Sequence, residues 1–237
     1  MSRHLVYPVL RSAARRIIPR LVRVESEGLE HLPLRGGVLL LPNHQSALDP
    51  FLVQAWAPRS VRSMTKSTQF GHPLMEWLLP RLGAFPVRRF KIDPQSVRTV
   101  LSLLDEGECV CIYPEGERSW DARLQPFRTG TLRTALEAIR RGIPVVPVGI
   151  DGMYDLLPRW GGLRRSGRTV YLRFGAPLDL GPIATRDQRD QALPDLAGQL
   201  RLSLLELSGE RERERLRQEA PEISWRAQPI ATGANPR

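Results

Sequence analysis

The chain has 237 residues, of which 41% are hydrophobic, and 35 basic against 25 acidic side chains give it a net charge of +10. This length suits one large domain with a substantial core and leaves little room for a second complete domain. No stretch approaches the roughly 20 uninterrupted apolar residues of a membrane-spanning helix. The cysteines, Cys109 and Cys111, lie too close together to bridge easily, and no Cys/His cluster has zinc spacing, so we expect a reducing compartment and no structural metal.

The positive charge favours an anionic partner. Nucleic acid, an acidic lipid surface, or simply an arginine-rich proteome could each account for it. Nucleic-acid-binding proteins usually show a basic helix, a finger pattern or a strand platform with aromatic and basic side chains. Because none of these is recognisable here, we expect no nucleic-acid partner.

Residues 1–24 read as a basic amphipathic segment. In a helical projection, apolar residues share one side and arginines occupy the other, which is typical of a helix at a membrane interface. The apolar side comprises Val6, Tyr7, Leu10, Ala13, Ala14, Ile17 and Leu21, and the basic side comprises Arg11, Arg15, Arg16 and Arg20. Pro8 and Pro19 limit the length of the helix and could break it into short pieces. The apolar side could equally pack on the domain, and both arrangements could hold together.

The arginines within 11–16 also interrupt any signal-peptide core of the usual length. We therefore expect a protein that binds an anionic membrane surface peripherally, on the cytoplasmic face of the cell membrane.

Short apolar runs and helical patterns alternate along the rest of the chain. The strand candidates lie near residues 37–42, 61–65, 83–88, 108–113, 144–150 and 169–174, and the helical patterns near 48–57, 69–81, 94–105 and 128–141. This alternation predicts an α/β fold, a single domain over 25–208 with a mainly parallel twisted sheet flanked by helices. Arg186 to Leu207 is predicted to form a closing helix, and 209–237 a charged helix end and a flexible tail from about Pro221.

Asn43-His44-Gln45-Ser46-Ala47-Leu48-Asp49 follows the first apolar strand candidate directly. An imidazole can accept a hydroxyl proton and return it near neutral pH, provided that a carboxylate holds the ring in the right tautomer. His44 and Asp49 could form such a pair. Alternatively, Asp49 caps the following helix beside an unrelated surface histidine.

Tyr113-Pro114-Glu115-Gly116-Glu117-Arg118-Ser119 follows another apolar strand candidate. The carboxyl ends of strands in parallel sheets are where α/β enzymes gather their ligands. We therefore expect the two polar clusters to meet in space.

These residues resemble the glycerolipid acyltransferases of the 1-acylglycerol-3-phosphate acyltransferase type, whose signature has four blocks. All four occur here in order, as Asn43-His44 with Asp49, Gly83 to Arg89, Tyr113 to Ser119, and Val145 to Val148. The resemblance implies that His44, oriented by Asp49, takes the proton of an acceptor hydroxyl that attacks a thioester. No acyl-enzyme is expected, since the chain lacks a Gly-x-Ser-x-Gly elbow and both cysteines alternate within an apolar strand.

The resemblance also implies a phosphate-bearing acceptor, most simply 1-acylglycerol 3-phosphate, with acyl-CoA or acyl carrier protein as the anionic donor and no cofactor. Lys66, Arg89 and Arg118 are the candidate phosphate ligands. Glu115 could orient one of these arginines or accept a hydrogen bond from an acceptor hydroxyl, while Gly116 lets the backbone approach the ligand.

Three positions depart from the family pattern. Glu117 replaces the usual threonine, Thr68 replaces a usual glutamate, and Arg88 replaces a residue that is often acidic. These departures leave other acceptors open, such as glycerol 3-phosphate or a lyso-aminolipid. A non-catalytic membrane-surface protein that retains the fold is the remaining alternative.

Overall fold

The computed structural model describes residues 3–87, 94–164, 167–181 and 185–210. Within them, the backbone forms a seven-stranded sheet flanked by α-helices. The strands are β1 (Arg23–Glu27), β2 (Val38–Pro42), β3 (Val61–Lys66), β4 (Ala84–Val87), β5 (Cys109–Cys111), β6 (Val145–Asp151) and β7 (Thr169–Phe174). The helices are α1 (Arg3–Ile17), α2 (Asp49–Trp56), α3 (Pro73–Arg81), α4 (Pro94–Asp105), α5 (Thr129–Arg140), α6 (Met153–Leu156) and α7 (Arg186–Leu207).

The sheet order is β1-β7-β6-β2-β5-β3-β4. From β6 to β4 all neighbouring strands are parallel, whereas β7 runs antiparallel to β6 and parallel to β1. The prediction of an α/β fold with a mainly parallel sheet is therefore confirmed. The division into 1–24, 25–208 and 209–237 stays a prediction, because β1 spans the first boundary and residues 211–237 lie outside the described chain.

The core lies on both faces of the sheet because the central strands are apolar on both sides. Along β2, Val38 and Leu40 belong to one buried cluster and Leu39 and Leu41 to the other. The first cluster contains side chains of α2 and α6, and the second contains side chains of α4, α5 and α7. This arrangement leaves the strand ends open for a site.

The N-terminal helix packs on the domain. It continues through Pro8 to Ile17, after which Pro19 lies in a 3₁₀ turn. The Tyr7 hydroxyl accepts a hydrogen bond from the Val61 N–H at 3.0 Å, so the helix is tied to the start of β3.

Two arginines of the predicted basic side bind the end of α2, although Arg15 is still exposed. Arg15 Nε donates to the Ala55 carbonyl at 2.6 Å, and Arg11 donates to the carbonyls of Ala55 and Ala57. The last carbonyls of α2 lack partners within the helix and carry partial negative charge, so guanidinium groups stabilise them. Arg16 and Arg20 remain exposed. None of the helices in the described part of the chain has the length and apolar character needed to cross a membrane.

Candidate active site

Both polar clusters lie at the carboxyl ends of neighbouring parallel strands. β2 leads into His44 and β5 leads towards Glu115, and the register of the two strands pairs Leu39 with Val110. The clusters are joined directly, since the Ser119 N–H donates to the His44 carbonyl at 2.7 Å. The prediction that the two clusters meet is confirmed.

His44 and Asp49 form a buried pair. His44 Nδ1 lies 2.8 Å from Asp49 Oδ2, so the ring donates its Nδ1–H to the carboxylate. The same oxygen accepts the backbone N–H groups of Gln45 at 2.7 Å and Ser46 at 2.8 Å. Asp49 is also the first residue of α2. It therefore organises the loop before the helix and orients the imidazole, so the histidine is not an unrelated surface residue.

Asn43 fixes this loop to the adjacent strand. Its side-chain amide donates to the Ile150 carbonyl at 2.9 Å and accepts the Ile150 N–H at 2.6 Å. Ile150 belongs to β6, which pairs with β2. The amide thus replaces a rung of strand pairing where β2 has ended and His44 begins.

Tyr113 packs flat against the imidazole. The ring centroids of Tyr113 and His44 are 3.9 Å apart and the ring planes differ by 23°. Burial raises the pKa of the tyrosine well above its ordinary value, so the hydroxyl stays neutral. The sequence analysis gives Tyr113 no role. Its position at the end of a strand next to the strand that leads to His44 could have indicated a contact with the imidazole.

Glu115 joins the two loops through its carboxylate. Oε1 accepts the His44 N–H at 2.6 Å, and Oε2 accepts the Gln125 N–H at 2.8 Å. Burial raises the pKa of this carboxyl to about 8, although the two backbone hydrogen bonds oppose the shift. The structure thus gives Glu115 a role in bracing the loop that carries His44, while a contact with the acceptor stays a prediction.

Replacing Glu115 with glutamine is expected to destabilise the protein by about 1–3 kcal/mol, because an amide nitrogen cannot accept the second backbone N–H. The folded protein keeps the Glu115 proton up to about pH 8, against an ordinary pKa of 4.5. The contribution of Glu115 to the free energy of unfolding is therefore largest below about pH 4.5 and decreases as the pH rises to about 8.

Urea denaturation at pH 5 and pH 8 measures this directly. We expect the wild-type protein to lose more stability between the two pH values than Glu115→Gln does. Glu30→Gln, at an exposed glutamate, should retain the wild-type difference. An equal loss of stability between pH 5 and pH 8 in wild type and Glu115→Gln would contradict the raised pKa of Glu115.

Gly116 has a φ of +74°, and a Cβ there would lie 2.9 Å from Arg128 Cγ. Both the left-handed conformation and the close approach favour glycine. Arg128 Nε in turn donates to the Glu115 carbonyl at 3.3 Å. The close neighbour of Gly116 in this structure is thus an arginine side chain of the same loop.

The predicted phosphate ligands lie at the same edge of the sheet where they are described. Lys66 ends β3, which neighbours β5, and Arg118 follows β5. Both side chains are partly exposed. Arg89 and its neighbour Arg88 lie outside the described residues, so their position stays a prediction.

Glu117, which departs from the family pattern, forms ion pairs with two arginines. Its carboxylate lies 3.3 Å from Arg128 and 3.0 Å from Arg159, and Arg159 also donates to the Arg118 carbonyl at 2.8 Å. Sequence reasoning gave Arg159 no role. Thr68, the other described departure, is exposed in a 3₁₀ turn after β3.

Two comparisons with known proteins show what this chain resembles, one through a family model and one through a solved structure. The Acyltransferase family model matches residues 23–151, more than half of the chain. A solved structure of the 1-acyl-sn-glycerophosphate (LPA) acyltransferase PlsC from Thermotoga maritima is similar with a TM-score of 0.65 and 22% identity, over 83% of this chain and 79% of that one. At this identity the likeness supports the fold alone.

Several curated relatives share part of the chain. A chloroplastic 1-acyl-sn-glycerol-3-phosphate acyltransferase of Brassica napus is 31% identical over 141 residues, which make up 57% of this chain and 39% of the relative. A 1-acyl-sn-glycerol-3-phosphate acyltransferase of Bacillus subtilis is 29% identical over 124 residues, 52% of this chain and 60% of the relative. The chain spans less than half of the length of the Brassica napus relative. It also spans less than half of a chloroplastic 1-acyl-sn-glycerol-3-phosphate acyltransferase of Arabidopsis thaliana, which is 31% identical over 57% of this chain and 38% of that relative. With a family model that covers both polar clusters, the chain belongs to the acyltransferase family.

Proposed function

We propose that the protein is an O-acyltransferase. It moves a fatty acyl group from a thioester, acyl-CoA or acyl-ACP, to the hydroxyl of 1-acylglycerol 3-phosphate and so produces phosphatidate. The names of the relatives support this acceptor and product. The observation that carries the proposal is the buried contact of 2.8 Å between His44 Nδ1 and Asp49 Oδ2.

The geometry supports general-base catalysis by His44. Because Asp49 receives the Nδ1–H, the neutral ring has its basic lone pair on Nε2. Nε2 takes the proton of the acceptor hydroxyl while the hydroxyl oxygen attacks the thioester carbonyl. The tetrahedral intermediate then expels the thiolate, which takes the proton back from the imidazolium. The buried Asp49 carboxylate stabilises the positive ring between these two proton transfers.

Direct transfer agrees with the state of the cysteines. Burial raises the pKa of Cys109 to about 12 and raises that of Cys111 as well, so both thiols stay protonated at neutral pH. A protonated, buried thiol is a poor nucleophile. The thioester is therefore attacked by the acceptor itself and no acyl-enzyme forms on either cysteine.

The acceptor phosphate would be held by cations at the same edge of the sheet. Arg118 offers a planar fork for bidentate contact with phosphate oxygens, and Lys66 offers a point charge. Arg89 would complete the set. The enzyme would act as a peripheral protein at the cytoplasmic face of the cell membrane, where its lipid acceptor resides and where anionic lipids attract its net charge of +10.

A panel of acceptors tests the proposal. Purified protein is incubated with acyl-CoA or acyl-ACP and 1-acylglycerol 3-phosphate, glycerol 3-phosphate or a lyso-aminolipid, and both thiol release and product mass are followed. We expect phosphatidate from 1-acylglycerol 3-phosphate. Faster turnover of another acceptor would show that 1-acylglycerol 3-phosphate is not the preferred substrate. No turnover with any acceptor and either donor would favour a non-catalytic membrane-surface protein.

A further inference from the structure

Two exposed tryptophans lie side by side near the candidate site. Trp120 is 46% exposed and Trp160 is 70% exposed, and their ring centroids are 5.2 Å apart. Leu163, three positions beyond Trp160, is 56% exposed. We refer to the pair Trp120 and Trp160 as the tryptophan patch. Large apolar side chains grouped on a surface mark a place where a partner binds.

The tryptophan patch is held in place by polar contacts beneath it. The Arg159 guanidinium stacks 3.8 Å from the Trp120 ring centroid and 5.2 Å from that of Trp160. Arg159 is itself fixed by Glu117 and by the Arg118 carbonyl. Stacking and ion pairing on one guanidinium hold the two rings in an exposed position.

Other contacts connect the patch to the loop that carries His44. Trp120 directly follows Ser119, whose N–H donates to the His44 carbonyl at 2.7 Å. The Tyr154 hydroxyl donates to the Trp120 carbonyl at 2.8 Å, and the Tyr154 N–H lies 3.4 Å from the Gln45 side-chain oxygen. The patch therefore lies beside the candidate catalytic loop.

The N-terminal helix uses part of its predicted membrane-binding surface for contacts with the domain. Arg11 and Arg15 are committed to the carbonyls of α2, and Val6 and Tyr7 are buried against the domain. Only part of the predicted interfacial surface of α1 thus remains available. A protein that takes its acceptor from a membrane needs apolar anchors close to the site as well.

We infer that the tryptophan patch docks on an anionic phospholipid bilayer at the depth of the headgroups, beside the candidate catalytic loop. Tryptophan prefers this interface, because its apolar ring enters the acyl boundary while its N–H stays near water. Arg164, four positions after Trp160 in the chain, is exposed and suits anionic headgroups. The inference rests on the proposed function, since it identifies where the lipid acceptor would enter.

An adenine ring of coenzyme A could also stack on an exposed indole. Leu163 favours the bilayer, since an exposed aliphatic side chain three positions after Trp160 in the chain adds apolar area without a planar surface for stacking. The net charge of +10 adds attraction to a surface of many anionic headgroups.

The test uses the full chain without substrate. It therefore measures membrane binding even if the protein does not catalyse acyl transfer. Cosedimentation with vesicles of phosphatidylcholine and phosphatidylglycerol is measured for wild type, Trp160→Ala and Trp120→Ala/Trp160→Ala. We expect on the order of a tenfold loss of vesicle affinity for the double variant, because binding strength scales with the buried apolar area. Leu34→Ala, which removes an apolar side chain that is 68% exposed at the opposite end of the sheet, should bind like wild type.

Tryptophan fluorescence gives a second measurement that does not depend on how the alanine variants fold. Brominated phosphatidylcholine in the vesicles should quench the wild-type emission, and Trp120→Phe/Trp160→Phe should lose most of this quenching. Unchanged vesicle affinity in the folded double variant, or equal quenching in wild type and the phenylalanine variant, would overturn the inference. Protection of the same indoles by free coenzyme A but not by vesicles would assign the patch to the donor nucleotide instead.

Discussion

Replacing His44 with alanine is expected to slow acyl transfer by about 10²- to 10⁴-fold, which is the usual contribution of a positioned general base. The loss should appear in the turnover rate with both acyl donors, because both deliver the same thioester carbonyl to the same acceptor oxygen. Initial rates of thiol release at saturating substrate measure it. Circular dichroism on the same preparation shows whether the fold is retained, since the Tyr113 ring loses its stacking partner.

A second histidine provides the matched control. His72 is exposed and accepts a hydrogen bond from the Leu74 N–H at the start of α3. His72→Ala should therefore keep wild-type turnover while carrying the same chemical change. A folded His44→Ala variant with full activity would remove the proposed mechanism, whatever the behaviour of the control.

The sequence predicted most elements because their burial patterns are local. Apolar residues of β7 and the amphipathic pattern of α4 gave the observed bounds, Thr169–Phe174 and Pro94–Asp105. β1 was missed, because Arg23–Glu27 alternates three charged residues with Val24 and Ser26, and its side chains are only partly covered. Its place in the sheet comes from backbone pairing with β7, and backbone N–H and carbonyl groups are the same for every sequence.

Strand direction was also beyond the local pattern. An apolar run such as β7 is equally compatible with either direction, since period and burial do not change when a strand is reversed. The long connection from β6 through α6 returns the chain antiparallel to β6. Only β1 and β7 are affected, so the strands that carry the candidate site kept the predicted parallel arrangement.

The N-terminal arginines show how tertiary contacts override a helical projection. The projection places Arg11 and Arg15 opposite the apolar residues and predicts that they face solvent or lipid. In the fold they cross to the carbonyl end of α2. Long arginine side chains can reach a neighbouring helix end from the flank of their own helix, and a projection of one helix cannot include that neighbour.

In the site, the parts within one loop were predictable and the parts between loops were not. His44 and Asp49 are five residues apart, so their contact depends on one turn of chain. The contacts of Glu115 depend on the pairing of β2 with β5 and on backbone amides that carry no sequence signal. The same is true of the stacking of Tyr113, which requires that two strands end at the same level.

Asp49→Asn is expected to reduce turnover by about 10²- to 10⁴-fold while the protein stays folded. The asparagine carbonyl can accept the three N–H groups that now converge on Oδ2. Its amide nitrogen would take the place of Oδ1, a buried atom without a hydrogen-bond partner among the described residues. The loop should therefore keep its shape, whereas the negative charge that stabilises the imidazolium is lost.

The double variant His44→Ala/Asp49→Asn separates this role from an independent one. If Asp49 acts through the imidazole, its charge no longer contributes to the rate once the ring is removed. The double variant should then turn over about as slowly as His44→Ala alone. Turnover rates of the wild type, both single variants and the double variant close the cycle. Losses that multiply would mean that Asp49 contributes to the reaction without His44, for example by binding the acceptor, and the assignment of an oriented histidine base would then have to be abandoned.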